Sequence, residues 1–452
     1  METQERQQRE RHKLDIAGAR ALTMGAMLGV GIFLAPPQAA AALRDPVALI
    51  ALWVIATLLA LAGAIAYAQL AARDPRSGGD FHYLSEAYGP ATARWASLFL
   101  ILGGFLLPCA ALGDALGRYQ LPTFYLLFSD GPPPLSERTL GALCLAALGL
   151  LNLAGLRAAD RFQRLSTRVP IYLLSLLSLI TLIGVALEAL PAPLPDPENA
   201  ALSSEPLWAQ GATPWVTAFL PIWFAFSGWN APVYCAGEVR ESAHTLPRAM
   251  SQGTVVIGAL YTLIVIALIA GLGMHALANA GEAGSALAER IAGQRAAQLM
   301  SGLIALALLG TINATLIGGG RLLSASLLRR PHPTRSAAYL SALSALLILC
   351  LPDPGALQHA GLVMLLLGLL TLSTLPILWA RDRREASVNQ PRIHHYGMSA
   401  ALIYGITGVS ILIFKLDTAL SNWRDPSLWL LLIFFLGLLL AYTRDTLSTQ
   451  RS

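Results

Sequence analysis

The residues best able to do chemistry in this chain are glycines, and the chemistry is that of the bare backbone. Thr23-Met24-Gly25-Ala26-Met27-Leu28-Gly29-Val30-Gly31-Ile32-Phe33 carries three glycines within seven residues, inside an apolar stretch. Each costs about 1 kcal/mol against Ala in a helix interior. One reading is close packing, because small residues let helices in a bilayer approach each other. The other is a deliberately broken helix. An interruption from Gly29 to Gly31 exposes N–H groups at the start of the second half, where partial positive charge suits a carboxylate. A second stretch, Pro221-Ile222-Trp223-Phe224-Ala225-Phe226-Ser227-Gly228-Trp229-Asn230-Ala231-Pro232, gathers Ser, Gly, Asn and Pro. Pro232 removes a backbone donor and disfavours helix at Ala231. The carbonyls that end its first half, near Phe224 to Ser227, suit an ammonium group. Together the two breaks match an α-amino acid zwitterion without any buried side-chain charge.

Both stretches belong to long apolar runs. The 452-residue chain is 55% hydrophobic and only 13% charged, with a mean hydropathy of +0.58. Soluble domains carry about a quarter charged residues. The runs reach the roughly 20 residues needed to cross a bilayer, and they are continuous rather than alternating, which excludes a β-barrel. The expected fold is an all-α membrane protein with twelve transmembrane helices, at 16–43, 46–72, 93–117, 138–156, 165–189, 213–236, 248–274, 297–320, 336–351, 356–380, 397–416 and 426–443. With this layout 24 of the 31 Lys and Arg fall on one set of alternating segments and seven on the other. Positive residues concentrate on the cytoplasmic side, so both termini are expected there. Residues 1–13 are too polar for a cleavable signal peptide. The formal charge of +5 does not argue for nucleic acid in such a chain.

Interruptions in spans one and six, five apart, are the pattern of an inverted five-helix repeat with a site between its halves. The expected organisation is a tail at 1–13, a first repeat at 14–189, an outer loop at 190–212, a second repeat at 213–380, two additional helices within 381–443 and a tail at 444–452. The loops 190–212 and 275–296 are expected to be solvated along with their acids, Asp196, Glu198, Glu205, Glu282 and Glu289. The four cysteines (Cys109, Cys144, Cys235, Cys350) lack metal-type spacing and are expected to pack.

Ionisable residues within the spans are few: Arg20, Asp114 and Glu238, all away from the middle. The eight histidines fall in the tail, in loops or near span ends. This leaves no chain of buried groups for a proton relay. There is no nucleophile with a base and no metal cluster for an intramembrane enzyme, and no filter of repeated carbonyls or charged rings for a channel. No enzymatic activity, cofactor or metal is expected. Phe224, Phe226, Trp229 and Phe105 are the candidate apolar walls or gate, Phe224 foremost because it abuts the break. Asn230 is a further pocket candidate.

The first glycine stretch resembles the G-x-G-I-F signature of the amino acid–polyamine–organocation superfamily. Further blocks resemble that superfamily in the same order. One is Tyr67-Ala68-Gln69-Leu70-Ala71-Ala72-Arg73, followed by Pro75-Arg76-Ser77-Gly78-Gly79-Asp80, Tyr83 and Glu86-Ala87-Tyr88-Gly89-Pro90. Another is Ala236-Gly237-Glu238-Val239-Arg240 with Thr245-Leu246-Pro247-Arg248-Ala249. The last is Gly310-Thr311-Ile312-Asn313-Ala314 with Arg321. The resemblance covers residues 14–380 and is specific for the superfamily rather than for a substrate. It implies a LeuT-like 5+5 inverted repeat with helices 1 and 6 broken, two extra C-terminal helices, and alternating access. It implies a substrate carboxylate against Gly29, Val30 and Gly31, and an amino group on carbonyls near Met27, Phe224 and Ser227. Gly228 and Asn313 complete the implied site, Phe224 gates it, and the Pro-Arg-Ser-Gly-Gly loop lies near an inner gate.

Three departures stand out. Val30 replaces a Ser common between the two glycines. Asn230 stands where some relatives have an acid. Pro170 stands near the point where some carry a Lys in span five. The last two weaken proton coupling. The implied activity is secondary active transport of a neutral L-amino acid, by exchange or facilitated movement, in the cytoplasmic (inner) membrane. Its partners are the amino acid and the lipid bilayer, with the coupling ion unassigned. A cationic substrate held by a buried carboxylate is not expected. The alternatives are a proton- or sodium-coupled symporter of amino acids, amines or polyamines, and a non-transporting receptor or subunit. For a symporter Thr311 is a candidate oxygen ligand, unless it back-bonds its own helix.

Overall fold

The computed structural model of the chain describes residues 13–190, 211–328, 332–350, 357–385, 393–420 and 426–449. Among these every regular element is helical, apart from one isolated bridge between Leu14 and Val239. Nine of the described helices are long and apolar enough to cross a membrane, or ten if one bent pair counts as a single span.

That bent pair is α1 (Ile16–Met27) and α2 (Gly31–Leu43), turned by 40°. Asp15 starts α1, its carboxylate accepting from the Gly18 N–H at 2.8 Å, which satisfies one of the donors a helix start leaves open. The helix stops at Leu28, whose ψ of 64° leaves the helical region. The next long helix, α3 (Pro46–Arg73), opens with Pro46 in its first turn and Asp45 accepting from Ala48 N–H at 2.7 Å, a start that needs no other partner. A turn at Gly78–Gly79 leads into the short α4 (Asp80–Tyr88).

The long span α5 (Pro90–Tyr125) contains two widened π segments, Ile101–Leu106 and Leu116–Gln120. Pro108 and Pro122 follow them by two residues each and lack the N–H that a regular turn would use. Then come α6 (Glu137–Leu153), α7 (Leu156–Ala186), α8 (Thr213–Ala225) and a 3-10 segment at Ala231–Glu238. The second half continues with α9 (Ser242–Leu272), α10 (Met274–Ala278), α11 (Ala283–Ala292), α12 (Gln294–Ser326), α13 (Pro333–Cys350), α14 (Leu357–Leu372), α15 (Thr374–Glu385), α16 (His395–Leu420) and α17 (Pro426–Thr449). Over the expected fourth span α6 has 17 residues. Over the expected sixth, α8 gives way to the 3-10 segment, which is the second interruption.

The two halves interlock. The strongest packing pairs α3 with α9, α13 with α6, and α8 with α2. Burial sorts the spans into centre and rim: the apolar windows of α5 and α12 are each 72% buried, against 22% for α7, 28% for α16 and 17% for α17. The outward apolar faces of the rim helices are what a bilayer covers, and the protein is a multi-pass membrane protein.

One expected loop is more structured than its composition suggests. Within 275–296, α10 and α11 form, and Glu282 is not simply solvated. It caps α11, accepting from Gly284 N–H at 2.6 Å and Ser285 N–H at 2.8 Å. Burial pushes its carboxyl above the usual range, against the lowering effect of those bonds. Residues 191–210 of the other loop, with Asp196, Glu198 and Glu205, lie outside the described residues, as do 1–12 and 450–452 of the tails.

Ion pairs gather at the arginine-rich end. Arg321 meets Glu238 at 2.8 Å, Arg164 meets Asp15 at 2.5 Å, and Arg73 meets both Glu86 (2.7 Å) and Asp382 (2.9 Å). Two of the three ionisable residues expected within spans are thus paired: Glu238 with Arg321, and Asp114 with Arg118 at 3.1 Å. Of the cysteines, Cys109 and Cys235 are buried, whereas Cys350 is exposed.

Candidate functional site

The two interruptions face each other across a cavity of about 130 Å³. A single water needs about 10–15 Å³ by the same measure, so there is room for a small solute. Eleven of the twelve expected residues line it: Met27, Gly29, Val30 and Gly31 from the first break, Phe224, Phe226, Ser227, Gly228, Trp229 and Asn230 from the second, and Phe105 from the first π segment of α5.

Asn313 is the exception. It is fully buried and belongs to a separate polar knot. Its amide donates to Ala159 O at 3.1 Å and Gln163 Oε1 at 2.8 Å, and its oxygen accepts from Asn152 Nδ2 at 3.0 Å. The reason is helical period. Thr311, Ala314, Thr315 and Gly318 put one face of α12 on the cavity, and a residue two positions past Thr311 points to the opposite side.

At the first break the carbonyl end is occupied by hydroxyls. Tyr261 on α9 donates to Met27 O at 2.5 Å and lies 3.4 Å from Ala225 O. Thr311 Oγ1 lies 3.0 Å from both Gly25 O and Leu28 O, and 3.2 Å from Ala307 O of its own helix. Its single proton serves one acceptor at a time, so the back-bond and the contacts with the break compete for it. The opposite end differs. Val30 sits at the cap position of α2 and makes no side-chain capping bond. The N–H groups of Gly31 and Ile32, which begin α2, have no acceptor within their own helix, whereas that of Phe33 already bonds Val30 O at 3.1 Å.

The second break is tighter. Ser227 N–H bonds Phe224 O at 3.0 Å and its hydroxyl reaches the same oxygen at 2.7 Å. Gly228 adopts φ +104°, and a Cβ there would lie 2.7 Å from Ala26 O. A Cβ on Gly31 would lie 2.5 Å from Ala225 Cα. The glycines therefore do both jobs weighed from their spacing. They interrupt the helices, and they let the two breaks touch backbone to backbone.

Aromatic rings form the walls. Phe226 packs behind the break with Trp53 and Tyr261, at 5.7 and 5.2 Å between ring centres. Trp229 meets Tyr67 at 5.0 Å and Tyr404 at 5.8 Å, and Trp223 meets Tyr404 at 4.9 Å. Phe224 is half-buried and borders the cavity.

Among the lining residues that escaped the reading of the sequence are Tyr67, Asp80, Tyr234 and Tyr404. Tyr404 comes from α16, a helix expected to lie outside the repeat. Asp80 overturns the premise that the cavity has no buried acid. It is 3% exposed at the start of α4 and accepts from Tyr234 Oη at 2.5 Å. Burial pushes its carboxyl above the usual carboxylate range, against the lowering effect of the Tyr234 bond. Its loop position next to Gly78 and Gly79 gives no sign of burial; the short helix that follows, with Tyr83 and Leu84 buried on one face, was the available signal. On α7, Gln163 and Thr167 pack against Gly25 of α1, just before the first break, where a Cβ would strike them.

A sequence profile for a family described as amino acid permease matches residues 14–443. The chain is 24% identical over 430 residues to large neutral amino acids transporter small subunit 2 of Mus musculus, spanning 92% of this chain and 77% of the relative. It is 26% identical over 429 residues to Asc-type amino acid transporter 1 of Homo sapiens, spanning 92% and 72%. A third relative, b(0,+)-type amino acid transporter 1 of Homo sapiens, is 24% identical over 333 residues, spanning 73% and 65%.

Proposed function

Because the chain belongs to the amino acid permease family, within the amino acid–polyamine–organocation superfamily, we propose that it carries a neutral or modestly polar L-amino acid across the membrane by alternating access, as an exchanger. The observation that supports this reading is the asymmetry of the cavity. It offers helix-start N–H groups at Val30 to Ile32 and carbonyls at the two breaks, between apolar and aromatic walls. The N–H groups take the carboxylate. The carbonyls of Met27 and Phe224 each already accept one bond or more, and a carbonyl oxygen has two lone pairs, so the amino group shares them. Val30 leaves the carboxylate to the backbone alone.

In this reading the twelve spans form a LeuT-like 5+5 inverted repeat at 14–189 and 213–380, with two additional helices after it. The arginine-rich end and both termini face the cytoplasm, and the membrane is the cytoplasmic one. The names of the relatives support amino acids as the substrate class, and the interlocked pairs α3 with α9 and α6 with α13 support the repeat. Phe224 closes over the bound substrate. In Phe224→Ala, purified protein should lose pre-bound amino acid several-fold faster while still binding it. Unchanged release would remove Phe224 as the gate.

The test of transport is radiolabelled uptake into proteoliposomes with and without internal amino acid. Stimulation by internal substrate is expected. Strict dependence on a pH gradient with no counter-substrate effect would overturn exchange, and binding without flux would make the protein a receptor. Coupling to sodium is a second reading, favoured by the three oxygens of Thr311, Gly25 and Leu28 meeting at 3.0 Å. Replacing sodium with potassium on both sides decides it: uptake that survives the exchange removes this reading.

A further inference from the structure

The floor of the cavity at the arginine-rich end is built by the loop before α4. Gly78 N–H bonds Tyr234 O at 2.9 Å, and Gly237 N–H bonds Ser77 Oγ at 3.1 Å. The loop is thereby docked on the 3-10 segment after the second break. The N-terminal end of α1 is tied to the same segment, since Leu14 N–H bonds Glu238 O at 2.8 Å and Arg240 N–H bonds Leu14 O at 2.9 Å. At the centre of this closed floor sits Asp80.

Asp80 lines the cavity and is 3% exposed. Its Oδ2 takes the Tyr234 hydroxyl, whereas its Oδ1 is buried with no hydrogen-bond partner among the described residues. Tyr67 and Thr371 lie close enough to favour its charged form, as the Tyr234 bond does, and Tyr83 is the further polar neighbour, but burial outweighs them. The charged groups on neighbouring elements are engaged elsewhere. Arg76 pairs with Asp74 at 2.5 Å, and Arg321 pairs with Glu238. At the far end of α4, Arg73 pairs with both Glu86 and Asp382, and Arg381 donates to Glu86 O. His82 faces Ser77 O at 2.9 Å, and Arg94 of α5 is exposed. An ionised carboxylate buried without a cation costs several kcal/mol. A carboxylic acid at the same place is neutral and turns the orphan oxygen into a possible donor.

We propose that Asp80 is a proton-binding site, occupied while the floor of the cavity is closed and emptied into the cytoplasm when the floor opens. The proton adds to the Asp80 carboxylate from water as the loop and the 3-10 segment come together. It leaves to water when they part and the side chain is hydrated. Asn230 Nδ2 lies 3.4 Å from the Tyr234 hydroxyl, so one polar chain runs from the second break to Asp80 and lets the site and the floor sense each other. The inference rests on the alternating-access reading for its role in transport, but not for the proton itself. The closed state binds the proton more tightly than the open state. Closure is therefore favoured as pH falls and lost as pH rises through the closed-state pKa.

Two measurements on the full chain in proteoliposomes test this, both with the same pH inside and out. The first is amino acid exchange from pH 5.5 to 9. The wild-type rate should fall on the alkaline side, by up to about tenfold per pH unit for a single proton, and Asp80→Asn should be flat. The second does not need transport. Cys235, buried in the 3-10 segment, is labelled with N-ethylmaleimide and read by peptide mass spectrometry relative to exposed Cys350 at each pH, with Asp80→Asn as the control for the ionisation of the thiols themselves. The ratio should rise with pH in the wild type and stay low in Asp80→Asn. Tyr234→Phe removes a donor that favours the carboxylate, and should move the midpoint to higher pH.

If the wild type carries no amino acid, the transport reading fails while the labelling ratio still decides the proton site. An Asp80→Asn protein with the wild-type pH profile, or a wild-type ratio that ignores pH, overturns the proposal. So does an Asp80→Asn protein that loses only uptake of lysine or arginine, which would make the carboxylate a substrate contact.

Discussion

The two broken helices are alike in sequence logic and unlike in what they leave open. At the first break, α1 ends on carbonyls that are held by Tyr261 and Thr311, while α2 begins on Val30 with no side-chain cap. At the second, Ser227 folds back on Phe224 O twice, and a 3-10 segment follows instead of a regular helix. The first break thus presents donors and the second a compact turn. The difference teaches that an interrupted helix is not a generic binding site. Which terminus is free depends on what distant residues have already taken.

The largest effect is expected where the two breaks touch. Gly228→Ala places a Cβ at φ +104° and 2.7 Å from Ala26 O. Strain and overlap together should cost at least about 2 kcal/mol, seen as a lower melting temperature in detergent and loss of uptake. A protein with the wild-type melt would show that the breaks can separate freely. Tyr261→Phe comes next. It removes the one hydroxyl that reaches both Met27 O and Ala225 O, and a lost hydrogen bond of this kind costs about 1–2 kcal/mol. Its specific readout is affinity. Freeing Met27 O should change amino acid binding more than binding changes in a substitution elsewhere on α9, and equal changes would make Tyr261 merely a packing residue. Smallest is Gly29→Ala, where the added Cβ meets Thr311 at an ordinary 3.4 Å. Stability within about 0.5 kcal/mol of wild type is expected. A large loss would mean that the first break, like the second, demands glycine for its conformation.

Much of the site was legible because a break needs conspicuous residues. Gly25, Gly29 and Gly31, and the Ser-Gly-Trp-Asn-Ala-Pro run from Ser227 to Pro232, announce themselves in otherwise continuous apolar helices. Phe224 and Trp229 followed from adjacency to a break. Asn313 was misplaced because a motif is read along the chain, whereas a helix turns it by about 100° per residue. Asp80 was overlooked for the opposite reason: a polar residue after two glycines in a loop carries no local sign of burial, and only its docking under the cavity, against Tyr234 some 150 residues later, buries it. Tyr404 gave no local signal at all, since its helix was expected to stand apart.

The sequence by itself determined that this is a multi-pass helical membrane protein of the amino acid permease family and where its helices are interrupted. Those properties are local, written in apolar run length and in residues that cannot sustain a helix. Only the tertiary structure decided which end of each break is free, which face of α12 meets the cavity, and that a carboxylate lies buried in the cavity floor. Each of these depends on hydrogen bonds and packing between residues far apart in the chain, such as Tyr261 with Met27 and Asp80 with Tyr234, and a helix end or a carboxylate has no fixed chemistry until its partners are in place.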